Sequence, residues 1–305
     1  MRFRGNVRRF LAGACLLPAL AGCARLWFPE REPWRREAEL ACLQSGAVKE
    51  GPAVAIVTAI NGPGVCGADY PLRVMALGDP ALVGFADEAV RPPEAAVSPS
   101  GGGAARGGYA QAAPPDDYPR ARPQGLPVES VPLGRPDVPI TGAPAALIPA
   151  ATLGCPLVSA LDRFVIDSVQ PAALRWFGQP VVEIRQIAAY SCRGRIGDGS
   201  GKISEHAFGN ALDIAAFTLR DGRKITVKDG WHGRSQEQGF LRDVESGACQ
   251  RFTTVLAPGS NASHTDHIHV DLRKHAGRDI CDPKAVSGEL IATQARSHEI
   301  GMTAQ

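Results

Sequence analysis

The chain has 305 residues, enough for one substantial domain with appendages or for two small domains. Lys and Arg total 33 against 31 Asp and Glu, a net charge of +2, and this near-balance excludes the electrostatic footprint of a nucleic-acid binder. Histidine is scarce at seven copies, yet His264, His267 and His269 fall within six residues of one another.

Arg2, Arg4, Arg8 and Arg9 form a positive leader, and Phe10 to Leu20 is an apolar stretch too short to span a bilayer in the usual way. Leu20-Ala21-Gly22-Cys23 resembles the lipobox of bacterial lipoproteins. That resemblance implies a signal peptide over residues 1–22, a diacylglycerol on Cys23 and a lipid-anchored periplasmic protein. Ala24 stands where an aspartate would signal inner-membrane retention, which points to the outer membrane. An uncleaved N-terminal anchor is the other reading of the same stretch.

Residues 23–38 are charged and carry Pro29 and Pro33, as expected of a spacer leaving the membrane. Within 39–80, Val54-Ala55-Ile56-Val57 and Leu72-Arg73-Val74 predict short strands around an Asn61-Gly62-Pro63-Gly64 turn. So small a β segment needs a larger body to pack on. Residues 84–144 lose hydrophobic patterning and are rich in Pro, Gly and Ala, as in a disordered linker.

The main domain is expected over 147–285, with 286–305 as a C-terminal tail. Thr152 is placed to cap a helix through Leu157, Leu161 and Phe164, and a second short helix follows Pro171 and ends near Gly178. Val181 to Ile184 and Leu212 to Ile214 predict strands, and Leu219 to Lys224 a hairpin turn into Ile225-Thr226-Val227. Gln236 to Ala248 predicts a helix, and Phe252 to Leu256 and Ile268 to Leu272 the last strands. Helices mixed with hairpin-linked strands indicate an α+β fold, an antiparallel sheet with flanking helices.

In an exported chain six cysteines remain after Cys15 and Cys23 are set aside: Cys42, Cys66, Cys155, Cys192, Cys249 and Cys281. An even number in an oxidising compartment predicts disulfides, for which fifteen connectivities exist. Sequence order favours Cys42–Cys66, Cys155–Cys192 and Cys249–Cys281, each pair bracketing one local unit.

The chemistry concentrates in two places. In a strand over 268–272, Ile268, Val270 and Leu272 face the core, so His267, His269 and Asp271 line the polar face. On its own this fits an ordinary polar strand face as well as a metal site. Upstream, His206 precedes a glycine-broken turn and Asp213 lies in the strand that follows, opposite to Leu212 and Ile214. A turn histidine and a strand carboxylate can reach one point, although a capped turn with a salt-bridged aspartate reads the same way. Two imidazoles and a carboxylate suit Zn2+ with a fourth position left for water.

Ser204, His206, Gly209, Ala211 and Asp213 fit the S-x-H-x-x-G-x-A-x-D signature of the LAS zinc D,D-peptidases, the D-Ala-D-Ala carboxypeptidase and murein endopeptidase group. The spacing His264-x-x-His267-x-His269 resembles the histidine cluster of the penicillin-insensitive murein endopeptidase in that group. The frame from about 147 to 282, with Cys155-Pro156-Leu157, Tyr190-Ser191-Cys192-Arg193 and His264-Thr265-Asp266-His267, resembles the bacterial extensin-like C-terminal domain family. The resemblance implies a fold shared with the hedgehog/DD-peptidase group. It implies His206, Asp213 and His269 as zinc ligands, His267 and His264 as base or transition-state stabiliser, and Arg193 as the holder of a substrate carboxylate or carbonyl. The implied activity is hydrolysis of amide bonds in peptidoglycan stem peptides or cross-links. The carboxypeptidase branch carries a glutamate three residues before a Trp-His ligand pair, whereas here Asp229 precedes Trp231-His232. The Trp-His pair leaves His232 as an alternative third ligand, but the aspartate and the early position of the pair, ahead of the helix that should precede the last strand, count against it. The missing glutamate base keeps open a non-catalytic, zinc-containing wall-binding or structural lipoprotein.

Overall fold

The computed structural model describes residues 30–79, 144–195 and 201–303. The leader, Cys23 and nearly all of the expected linker lie outside the described residues.

The elements in chain order are α1 (Pro33–Ser45), β1 (Val54–Ile56), β2 (Ile60–Asn61), β3 (Gly67–Ala68), β4 (Pro71–Leu77), β5 (Ala145–Gly154) and α2 (Cys155–Phe164). A π-helical turn over Val165–Val169 leads into α3 (Gln170–Phe177), then β6 (Val181–Ala188) and a 3-10 turn over Glu205–Phe208. There follow β7 (Ala211–Leu219), β8 (Lys224–Thr226), α4 (Val227–Gly230), α5 (Ser235–Cys249), β9 (Thr254–Leu256), β10 (Ile268–Asp271), β11 (Ile280–Asp282) and α6 (Gly288–Thr303). Nine strands form one sheet in the order β1-β4-β5-β6-β7-β10-β9-β11, with β8 alongside β7. The fold is α+β, a sheet with flanking helices, as expected. The sheet is mixed, because β5 pairs β6 and β9 pairs β11 in parallel.

The core lies where α2, α3 and α5 cover the sheet. Leu157, Leu161 and Phe164 bring the inward stripe of α2 against Leu72, Leu147, Ile184, Phe217 and Phe240, all of them buried. Apolar burial of this kind contributes roughly 25 cal/mol per Å² removed from water. Thr152 does not cap α2. It pairs with Arg73 inside β5, the strand runs on to Gly154, and Pro156 sits in the first turn of the helix.

The N-terminal segment is built into this architecture. Helix α1 begins at Pro33, inside the stretch expected as a spacer, and β1 and β4 extend the sheet beyond β5 through an antiparallel pairing. The expected tail is also ordered. Helix α6 packs on α5, buries Ala292, and at its start donates a hydrogen bond from Gly288 N to Asp243 Oδ1 at 3.0 Å.

The disulfides follow this threading. Cys249–Cys281 forms as expected, but Cys42 bonds to Cys155 and Cys66 to Cys192. The expected Cys42–Cys66 and Cys155–Cys192 pairs assumed local units. Once residues 33–79 lie against the 145–195 part of the domain, their cysteines meet that part instead.

Asp162 is a polar intrusion into the core. It is 1% exposed, one oxygen accepts from Gly78 N at 2.8 Å, and the other has no hydrogen-bond partner among the described residues. Burial pushes its carboxyl up to about 7, against the lowering effect of the Gly78 N–H. A raised folded-state value means the folded chain keeps a proton that the unfolded chain has released. This contribution to stability is therefore present at low pH and lost as pH rises from about 4 towards about 7. Asp162→Asn should reduce the fall in melting temperature between pH 5 and pH 8 by a few degrees, measured by thermal unfolding with a chelator present. An unchanged fall would show that Asp162 does not ionise in this window.

Candidate metal centre

The site forms because the two strands that carry it share a register. β7 and β10 are antiparallel, with His269 directly opposite Asp213, Ile268 opposite Ile214 and Val270 opposite Leu212. Ile214, Leu212, Ile268 and Val270 are no more than 1% exposed and hold one face to the core. The alternation of a strand then turns Asp213 and His269 together to the other face. His269 Nδ1 lies 2.7 Å from Asp213 Oδ1.

His206 arrives from the 3-10 turn just before β7. The Ser204 side chain caps this turn by accepting from His206 N, and Gly209 ends it with φ of 63°. The turn also passes close to β5, where Gly154 N donates to Gly209 O at 2.8 Å, and a Cβ at Gly209 would stand 3.1 Å from Gly154 N. The left-handed conformation favours glycine, and the close approach leaves little room for a side chain. His206 Nε2 comes within 3.2 Å of Asp213 Oδ1. One donor atom from each of His206, Asp213 and His269 lies within 4.8 Å of the other two, and all three residues are buried. This group can hold a metal ion.

Four imidazoles line the cavity, and each is anchored through one nitrogen. His206 Nδ1 donates to Ala189 O at 2.6 Å, a carbonyl that can only accept, which leaves Nε2 turned to Asp213. His269 Nε2 bonds to Asp271 Oδ2 at 3.0 Å, His267 Nδ1 to Asp266 Oδ1 at 2.9 Å, and His264 Nδ1 to Asn261 Oδ1 at 2.7 Å. His267 Nε2 is 3.7 Å from Asp213 Oδ1, the outermost of the three histidines around that oxygen. The His264 ring stands 5.0 Å from that of His267 and 5.7 Å from that of His269. Anchors of this kind fix tautomer and ring orientation in metal sites.

The charges reinforce one another. Burial alone would raise the Asp213 carboxyl, but its side-chain contacts with His206 and His269 outweigh it and hold the group well below the ordinary carboxylate range. Burial likewise opposes charge on His269, yet its bonds to Asp213 and Asp271 push it up to about 9. His264 is lowered to about 4 by burial and then by its electrostatic interaction with His269 and His267, so it is neutral at pH 7.

Arg193 lines the same cavity of about 440 Å³, with His264 and His267, and its carbonyl accepts from Ser204 N at 3.1 Å. His232 is exposed in the turn between α4 and α5 and does not line the cavity, which removes it as the third ligand. Three contributors were not assigned from the sequence. Asp271 was placed on the polar face by its spacing but given no role. Asp266 sits within the His-Thr-Asp-His run, and Asn261 carries no sequence signal at all.

Residues 135–282 match the family described as Extensin-like protein C-terminus. No curated protein and no solved structure matches the chain. The extensin-like region contains the whole metal-binding group, Arg193 and the clustered histidines, and leaves out α1 and β1 to β4.

Removing the Asp271 anchor should weaken metal binding. Asp271→Ala is expected to cost about 10- to 100-fold in divalent-metal affinity, measured by calorimetric titration, and a wild-type affinity would remove Asp271 from the site. In the metal-free chain His269 keeps its proton up to about pH 9. An incoming ion must displace that proton, so the apparent affinity should tighten as pH rises from 6 to 8.

Proposed function

We propose that this protein is a zinc-dependent hydrolase of amide bonds in peptidoglycan stem peptides or cross-links. The observation that carries this reading is the convergence of His206, Asp213 and His269 on one side of an open cavity that Arg193, His264 and His267 also line. Two imidazoles and one carboxylate, with no thiolate in the group, match the donor set of catalytic rather than structural zinc sites. Bound zinc supplies Lewis acidity at that point. The relation to the LAS peptidases belongs to this proposal and rests on the S-x-H-x-x-G-x-A-x-D signature at Ser204 to Asp213.

The chain's own residues take these roles. His206 and His269 present Nε2 and Nδ1, each oriented by its opposite nitrogen, and Asp213 presents a carboxylate that stays ionised. His267, held by Asp266, directs Nε2 towards the same point and can accept a proton from the nucleophile and return it to the leaving amine. His264 lies beside it. Arg193 offers a guanidinium to a carboxylate or carbonyl of the peptide. Three disulfides support an exported location, in keeping with a lipid-anchored periplasmic protein, at the outer membrane by the Ala24 criterion.

One observation favours a second reading, a zinc-containing module that binds the wall without cutting it. Glu205 is the only glutamate lining the cavity among the described residues, and its carboxylate is taken by Arg35 and Asn210. No free glutamate base is left there.

The purified chain is expected to hold about one zinc. His269→Ala should lose the metal. His267→Ala should keep it and lose about 100- to 10,000-fold in hydrolysis of purified sacculi. Zinc content and fragment mass spectra on the same preparations give the answer. A wild-type chain that binds zinc and leaves sacculi intact would favour the binding module.

A further inference from the structure

The turn that carries His206 is gripped from outside the extensin-like region. Arg35, in the first turn of α1, is 8% exposed and stands 170 residues from its partner in sequence. Its Nη1 donates to Glu205 Oε2 at 2.8 Å and its Nη2 to Glu205 Oε1 at 3.0 Å, a two-pronged contact with a carboxylate that is 6% exposed. Its Nε donates to Glu32 Oε2 at 2.7 Å, which fixes the plane of the guanidinium. That plane lies over the Phe208 ring, 3.7 Å from its centroid. Glu205 Oε2 also accepts from Asn210 Nδ2 at 2.7 Å, and Glu205 O from Asn210 N at 3.1 Å. One guanidinium therefore holds Glu205 and Phe208 directly and Asn210 through Glu205. His206 lies between these points.

We propose that Arg35 is a positioning residue for the metal centre, so that the site is a joint product of the N-terminal helix and the extensin-like region. The inference rests on the reading of His206, Asp213 and His269 as metal ligands. Loss of the guanidinium strands a buried carboxylate, which must then take up a proton or swing towards water, and either change alters the contacts that hold the turn. Glu205 and His206 are adjacent, so a shift of the turn displaces the imidazole that must meet Asp213. Two disulfides hold the helix segment to its task, Cys42–Cys155 from α1 to the start of α2 and Cys66–Cys192 beside Arg193.

The test is titration of the full-length metal-free chain with cobalt(II), whose visible spectrum reports ligand number and geometry. Arg35→Ala should weaken cobalt affinity by about tenfold or more and alter the spectrum, with the far-ultraviolet circular dichroism of the metal-free chain unchanged. Arg35→Lys should recover part of the affinity, since an ammonium restores the charge but not the fork. The double variant Arg35→Ala with Glu205→Gln removes the stranded charge and serves where Arg35→Ala does not fold. It should remain weakened, because the hold on Phe208 and Glu205 is still missing. A folded Arg35→Ala chain, or the double variant in its place, with affinity within about twofold of wild type and an unchanged spectrum would overturn the inference and leave the metal reading intact. A wild-type chain that binds no cobalt would overturn both.

Discussion

Asp213 and His269 face one another across an antiparallel strand pair, and the candidate site depends on that register. A slip of one residue in either strand would send its polar side chain into the core and an aliphatic one into the cavity. What prevents the slip is apolar packing. Leu212, Ile214, Ile268 and Val270 are sealed beneath the same two strands, so the burial that stabilises the sheet also sets the distance between carboxylate and imidazole. The polar face then needs only local devices: a capped 3-10 turn for His206 and a carboxylate two residues on for His269.

The second dependence is on chain threading. The sheet does not begin with the extensin-like region. β1 and β4 extend it outward from β5, and α1 lies close enough for Cys42 to reach Cys155. The loops closed by Cys42–Cys155 and Cys66–Cys192 span 113 and 126 residues, so both bonds restrict a large part of the unfolded chain. Cys66–Cys192 also tethers the residue next to Arg193, on the rim of the cavity. Fold stability and site geometry are thus served by the same contacts.

Much of this was legible in the sequence because it is local. Alternation with period two at 212–214 and 268–271 shows which side chains share a face, and the spacing from Ser204 to Asp213 encodes the turn and strand together. The ending of α3 before Gly178 is equally local, since Gly178 adopts the left-handed conformation with φ of 65°. The misses in the fold are non-local. Nearest-neighbour pairing of the cysteines fails because chain threading decides which thiols meet. The spacer expectation for residues 23–38 fails at Pro33, where α1 starts with a weakly amphipathic, charge-rich sequence that a tertiary partner stabilises. Thr152 has the chemistry of a helix cap, but strand pairing with Arg73 claims it first. Arg35 and Glu205 carry no motif linking them, and only the folded chain brings them together.

The central claim is that one zinc ion binds at His206, Asp213 and His269. Anomalous diffraction from crystals of the purified chain, collected on both sides of the zinc absorption edge, tests it most directly. The account predicts a single peak bounded by His206 Nε2, an Asp213 carboxylate oxygen and His269 Nδ1, each at about 2.0–2.2 Å, with Asp271 still bonded to the far side of His269. A zinc-supplied crystal with no peak among these three side chains, or with the ion held by another set of residues, would contradict it.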